Sequence, residues 1–514
     1  MIRPALLSLL LAAAVAPAAA AGSLPNILII FADDLGYGDV GCYNPESKVA
    51  TPSIDRLASQ GLRFTDAHSP STVCTPSRYS LFTGRMAFRT GLKGVFTGAG
   101  GPNMIEADRL TLPGMLKEKG YLTALIGKWH VGLTFRDSEG KPISDGGPEG
   151  EKRIDYSRPI TDSPVHRGFD EFFGTACCPT TDWIYAYIED DRVPNPPVAP
   201  IDKSTIPENP YTKDCRPGRI APDFKMDEVD LKFLDRSLRF LDKHKSERPD
   251  QPFFLVHSTQ AVHLPSIPAP EFVGKSGLGA HGDFIMELDA IVGRLMTKLD
   301  ELGMSENTIV MLSSDNGPEI APIVNMRADH GHDGARPWRG MKRDQWEGGH
   351  RVPFIVRWQG EIEAGSETSQ TTCLTDIMAT CASIIGYQLP NDAAEDSFDL
   401  LPLLKDPDLK DPIRPFTIHQ TNRLELAIRS GKWKYLDHRG SGGNDYRKKP
   451  QLTPYILPEK APDAPGQLYD MEKDPGETEN LYLKHPEKVR ELKEALERLK
   501  SSGRSAPLRS SPDE

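Results

Sequence analysis

The sequence is short of positive charge. Lys and Arg number 61 against 73 Asp and Glu, a formal net charge of -12. A surface of that sign repels polyanions, which argues against a nucleic-acid coat protein. A local basic pocket can still hold an anionic substrate. Beyond the N-terminus no apolar run is long enough to span a bilayer, so no membrane span is expected. There is no closely spaced Cys and His cluster of the kind that binds zinc, and no internal repeat. No Asn-x-Ser/Thr acceptor occurs, which favours a bacterial source. Cysteine is scarce and odd in number, with 7 in all: Cys42, Cys74, Cys177, Cys178, Cys215, Cys373 and Cys381. At least one thiol therefore has no partner within the chain. Cys373 and Cys381 lie in a stretch that reads as helix, where roughly 12 Å of axial rise keeps them from bridging each other.

What is present begins with a targeting segment. Arg3, the apolar run Leu6 to Val15 and the small residues Ala19 to Ala21 read as a secretory signal over 1–21, cut near Gly22. The mature chain is expected in a periplasm or outside the cell. Ile27 to Phe31 form a continuous apolar run, the pattern of a strand buried on both faces. "TPSIDRLASQG" follows as a helix, with Thr51 at its N-cap, Pro52 at the first position and Gly61 as its stop. Strand–helix alternation recurs through "LTALIGKWH", "PFFLVHST" and "TIVMLSSDNG". The pattern predicts an α/β fold, a large mostly parallel sheet sandwiched by helices over 22–411. Ligands in such folds gather at the carboxyl ends of the strands. From about Pro412 to 500, short antiparallel strands and a final helix predict a smaller C-terminal α+β subdomain. The composition of 501–514 is that of a disordered tail.

Two strand ends carry oxygen donors. Asp33 and Asp34 close the first strand, and Asp315 and Asn316 close "TIVMLSS". Adjacent carboxylates repel, so two such ends on one sheet suggest a shared hard cation, Ca2+ or Mg2+. Taken one at a time, each also reads as an ordinary turn. Cys74 opens "CTPSRYSLFTGR", a segment with Pro76 in the first turn of a predicted helix. That places Cys74 near the positive end of a helix dipole, with Arg78 one turn further along the same side. Core packing is the plain alternative for a lone cysteine.

The segment "CTPSRYSLFTGR" resembles the signature of the formylglycine-dependent (type I) sulfatases, Cys-x-Pro-x-Arg followed by Thr-Gly-Arg. The similarity runs through "PNILIIFADDLGYGDVGCY", "GKWHVG", "HRGFDEFFG", "SSDNG", "WRGMKRDQWEGGHRVPFIVRWQG" and "LYDMEKDPGETENL", in the family's order. The resemblance implies an alkaline-phosphatase-like fold and a sulfuric ester hydrolase. It implies that a maturation enzyme oxidises Cys74 to formylglycine, whose hydrate is the nucleophile. It implies metal ligands at Asp33, Asp34, Asp315 and Asn316, with Ca2+ preferred over Mg2+. Arg78 then steadies the diol, Lys128 and His130 contact the sulfate and the diol, Lys342 binds sulfate, and His263 faces the leaving oxygen as general acid. His257 is the lesser candidate for that last role, because His263 keeps the His-x-Pro pattern.

Substrate choice is less legible. Asp182, Trp183 and Tyr185, with Arg336 and Arg339, are candidate contacts to a sugar. The expected substrate is a sulfated carbohydrate, with a small aryl sulfate or another ester as the alternative. A phosphate or phosphonate ester hydrolase of the same superfamily is the nearest rival, and a catalytically silent carbohydrate-binding relative the rival from another class.

Overall fold

In the computed structural model of the 514-residue chain, residues 24–213 and 215–509 are described. The export signal read at 1–21 and the last residues, 510–514, lie outside them. Among the described residues no helix is long and apolar enough to cross a membrane.

The sheet strands that matter for the site are β1 (Asn26–Ala32), β2 (Leu62–Phe64), β3 (Leu122–Lys128), β4 (Glu171–Thr175), β5 (Ile188–Glu189), β6 (Phe253–Ser258), β7 (Thr308–Ser314), β8 (Phe354–Arg357) and β9 (Ser366–Thr368). They form one nine-stranded sheet in the order β9-β2-β8-β7-β1-β6-β3-β4-β5. Its centre, β7-β1-β6-β3-β4, is entirely parallel. β8 pairs antiparallel with both its neighbours, and β5 is an antiparallel edge. Every residue of β1, β3, β6 and β7 is buried. This is why these strands read as unbroken apolar runs rather than as alternating ones. The long helices α1 (Pro52–Ser59), α2 (Cys74–Thr83), α3 (Val229–Glu247) and α4 (Gly279–Glu301) flank the sheet. In α4, Ile285, Leu288, Ile291, Val292, Leu295 and Leu299 are buried at helical spacing.

Near the C-terminus, β10 (Thr417–Gln420), β11 (Leu426–Ser430), β12 (Trp433–Leu436) and β13 (Gln467–Asp470) make a separate antiparallel sheet. A final helix, α5 (Pro486–Ser501), packs Val489, Leu492, Leu496 and Leu499 on it.

Three local expectations need correction. Cys373 ends a short strand and caps a 3-10 turn, while Cys381 lies in a separate helix, Ile377–Ile384. Asp376 breaks the apparent single helix by accepting the Cys373 N–H at 2.9 Å. Thr51 precedes α1, but its hydroxyl does not cap the helix. It accepts from the Gly41 N–H and donates to Asp55. The chain after Ser501 is not a loose tail up to Arg509. Ser505 donates from its N–H to Glu395 O and from its hydroxyl to Asp396 (2.6 Å), and Arg509 donates to Ala393 O and Ala394 O. Composition signalled disorder there because these anchors, the Asp396 carboxylate and backbone carbonyls, lie on a distant segment.

Candidate active site

Four neighbouring strands end at one place. Asp33 and Asp34 follow β1, Asp315 and Asn316 follow β7, Lys128 is the last residue of β3, and His263 lies on the loop after β6. All six side chains are buried. The β6 loop is tied to β1 through backbone, Asp33 N–H to Ala261 O at 3.1 Å and Val262 N–H to Asp33 O at 2.7 Å. Asp230 of α3 accepts the N–H groups of Gln260 and Ala261 at 2.7 and 2.8 Å, fixing the same loop from behind.

α2 supplies the fifth wall. Val73 is extended, Cys74 opens the helix, and Gly84 ends it at φ 62, a conformation that favours glycine. Every residue of α2 is buried. Cys74 Sγ lies 3.6 Å from Asp33 Oδ1. Burial, with Asp315 nearby, pushes this thiol well above its ordinary range. It is therefore held as the neutral thiol, not as the thiolate that a cysteine nucleophile requires. One turn on, Arg78 donates from Nε to Asp315 Oδ2 (2.9 Å) and from Nη1 to Lys128 O (3.0 Å) and Ser258 Oγ (2.7 Å).

Cations answer the carboxylates one for one. Lys128 Nζ pairs with Asp33 Oδ2, and Lys342 Nζ pairs with both oxygens of Asp34 at 2.7 and 2.8 Å. Burial opposes the charge on each lysine, but Asp33 and Asp34 more than reverse this and raise both. Asp33 in turn is lowered, since Lys128 and His263 outweigh the cost of its burial. Asn316 donates to Asp34 Oδ1 at 2.6 Å and to Gly317 O, while its own Oδ1 is buried without a partner. Ligand atoms of Asp33, Asp34, Cys74 and His263 lie within 4.8 Å of one another. Three carboxylates plus an orphaned amide oxygen fit a hard, oxygen-seeking cation.

The two histidines differ. His130, at φ 59, pairs Nε2 with Phe96 O at 2.8 Å, so its Nδ1 is left as the acceptor. Burial first, then Lys128 and Arg78, hold it well below the usual range, so it is neutral. His263 pairs Nδ1 with Leu264 O at 2.5 Å and turns Nε2 toward Asp34 Oδ2 at 3.7 Å. Burial pulls it down, but Cys178 and the two aspartates carry it up to about 9. His257 instead pairs Nδ1 with the Ser237 hydroxyl inside the fold, where burial lowers it to about 3.

The candidate sugar contacts scatter. Asp182 is 3% exposed and accepts the N–H groups of Gly98 and Trp183 at 2.5 and 2.8 Å. Burial pushes its carboxyl up to about 6. Trp183 is partly exposed beside Gly98, with Arg216 5.9 Å from its ring. Tyr185 is fully buried and donates to Arg216 O at 2.7 Å. Arg336 pairs with Glu46 at 2.7 Å. Arg339 donates to Glu477 O at 2.6 Å and lies 3.5 Å from the Trp346 ring centroid. The last three are occupied away from the cluster.

Sequence reasoning passed over three residues at this site. Cys178 Sγ sits between the histidines, 3.8 Å from His130 Nδ1 and 3.7 Å from His263 Nε2. Ser258 supports Arg78. Glu319 takes Arg343 in a two-pronged pair at 2.5 and 2.7 Å and lies 3.6 Å from Lys342. A signal existed for Ser258, the last residue of a central strand, and for Cys178, in the loop already read as a wall.

The sulfatase family profile matches residues 25–387. The chain belongs to the sulfatase family. An N-acetylgalactosamine-6-O-sulfatase of Bacteroides thetaiotaomicron is 36% identical, over 93% of each chain. Human arylsulfatase A is 34% identical, over 89% of this chain and 83% of that one. A solved Bacteroides thetaiotaomicron structure, described under the metabolism of multiple glycosaminoglycans, superposes at a TM-score of 0.79 with 33% identity. It covers 93% of this chain and 100% of its own. A sulfatase from Pseudoalteromonas sp. superposes at 0.69 with 26% identity, over 95% and 92%. The protein is thus a sulfuric ester hydrolase with the sulfatase fold, a mixed sheet flanked by helices plus a small antiparallel sheet.

Proposed function

We propose that this sulfatase releases inorganic sulfate from a sulfated carbohydrate, with Cys74 converted to formylglycine by a maturation enzyme and with Ca2+, rather than Mg2+, at Asp33, Asp34, Asp315 and Asn316. The carrying observation is the position of Cys74. It heads a buried helix, 3.6 Å from Asp33, and its thiol is held neutral, which disfavours direct thiolate attack. A cation held by these residues would draw charge from a sulfate oxygen and lower the pKa of a nearby hydroxyl.

The chain's own groups then divide the work. One hydroxyl of the hydrated aldehyde gives its proton to Asp33, whose carboxylate lies 3.6 Å from Cys74 Sγ, and attacks sulfur as the bond from sulfur to the alcohol oxygen breaks. His263, protonated at neutral pH, gives its proton to that departing oxygen. The second hydroxyl then gives its proton to the now neutral His263 as the bond from carbon to the sulfate oxygen breaks. Sulfate leaves and the aldehyde re-forms; water then adds to it to restore the diol, and the proton taken by Asp33 passes to solvent. Lys128 and Lys342 hold fixed positive charge where sulfate oxygens gain negative charge, already oriented by Asp33 and Asp34. Arg78 fixes the helix that presents position 74, and neutral His130 offers Nδ1 as a hydrogen-bond acceptor.

Residues 22–411 carry this chemistry, and 412–500 cover one side of it. Export to the periplasm or the exterior fits the N-terminal segment, and the name of the Bacteroides relative favours a sulfated glycan. Rates on an aryl sulfate and the matching aryl phosphate test the reaction class. Faster sulfate release is expected, and a preference for phosphate would overturn the assignment.

A further inference from the structure

The loop after β12 bears directly on the sulfate-binding side. Gln345 N–H donates to Ser441 O at 2.7 Å, and Asn444 Nδ2 donates to Lys342 O and Asp344 Oδ1, both at 2.8 Å. Gly443 packs so closely that a Cβ there would meet Arg343 O at 1.8 Å. The loop is therefore seated on the segment that carries Lys342 and Arg343.

This contact collects positive charge. Arg343 has φ 78, a conformation unusual for a side chain of its kind, and its guanidinium is held by Glu319. Glu319 is thereby committed to Arg343, as Asp34 is to Lys342, which leaves neither for a further cation. Lys449 is half-buried, with Nζ 3.3 Å from the Asn444 side-chain oxygen. Among the described residues neither Lys449 nor the exposed Arg423 has a carboxylate partner. Burial and the neighbouring Arg343 hold the Lys449 ammonium below its ordinary range, against the opposing pull of Glu319 and Asp344 and with Arg423 adding to the effect. On a chain of net charge -12, a local excess of this kind is repulsive unless an anion meets it.

We infer that Arg343, Lys449 and Arg423 form a subsite for a second oxyanion, a carboxylate or a further sulfate, on the sugar next to the one that bears the reacting sulfate. The inference rests on the sulfated-glycan reading above. It narrows that reading to an acidic chain, as opposed to a neutral glycan or a small aryl ester.

The test uses the full-length enzyme and three disaccharides carrying the same cleavable sulfate. In one the neighbouring sugar is a uronic acid, in the second its carboxyl is reduced to an alcohol, and in the third it bears another sulfate. The readout is the ratio of kcat/KM for each acidic substrate to that for the reduced one, at low salt. The wild type should favour at least one acidic substrate by about fivefold or more, equivalent to about 1 kcal/mol. Which one it favours separates a carboxylate subsite from a sulfate subsite. In Lys449→Gln with Arg423→Gln the ratio should fall toward one, and Lys449→Arg should retain it. Raising the salt should compress the wild-type ratio. Equal rates on acidic and reduced substrates, or a preference that survives the double substitution, would overturn the subsite. Cleavage of an aryl sulfate but none of the disaccharides would also overturn it, while failure on the aryl sulfate too would instead overturn the reading it rests on.

Discussion

Replacing Arg78 tests how the site is held together. Its guanidinium is 1% exposed and donates to Asp315, Lys128 O and Ser258 at 2.9, 3.0 and 2.7 Å. Arg78→Ala removes all three bonds and leaves the Asp315 carboxylate buried beside Asp33 and Asp34 without its cation. Breaking one side of a buried pair costs about 3–5 kcal/mol, against a total stability of roughly 5–15 kcal/mol. The variant should therefore still fold, with a lowered denaturant midpoint and an unchanged m-value. Arg78→Lys keeps the charge but not the fork, and should recover part of the loss. Sulfate release should fall by about a hundredfold or more in the alanine variant, because the helix presenting position 74 loses its tie to β3 and β6. Urea titration gives the first quantity, and turnover by the folded fraction gives the second. A stability within about 1 kcal/mol of wild type, together with wild-type turnover, would refute the reasoning.

Other outcomes follow from the same contacts. His68 and His350 stack with His419 of β10, facing Asp66, Glu347, Lys434 and Arg351. Burial depresses all three below the ordinary 6.5, so the unfolded chain binds protons first as pH falls. Their stabilising contribution is present above about pH 6.5 and is lost below it. The melting temperature should drop between pH 7.5 and 5, less steeply in His419→Gln; a flat or rising profile would contradict this. After chelation, Ca2+ should raise the melting temperature by relieving repulsion among three carboxylates, about 2.7 kcal/mol at a hundredfold excess over Kd. No shift at any Ca2+ concentration would count against the site. Gly127 has φ 121, and a Cβ there would lie 1.7 Å from Ser258 O. Gly127→Ala should cost about 1–3 kcal/mol and lower turnover by displacing Lys128, and unchanged thermal unfolding would contradict it.

The strand ends were readable because burial on both faces forces long apolar runs, and the oxygen donors that stop those runs stand out. The start of the helix at Cys74 was readable from Pro76, while its end at Gly84 came only with the structure. Less legible were side-chain directions in loops. Asp182 and Tyr185 share a segment with Cys178, yet Tyr185 turns into the core while Cys178 reaches both histidines. Nothing local distinguishes these fates, since each depends on partners such as Arg216 and His263. The role of the loop after β12 was hidden for the same reason, because its contact with Lys342 spans about a hundred positions of sequence, Lys342 to Asn444.

The most direct measurement compares two preparations of the full chain, with Cys74 converted to the aldehyde in one and left as the thiol in the other. Mass spectrometry of the peptide around residue 74 gives the converted fraction, and released sulfate gives the turnover. Turnover should rise in proportion to conversion and vanish in Cys74→Ala. Equal turnover by the thiol form, or by the alanine variant, would contradict the account.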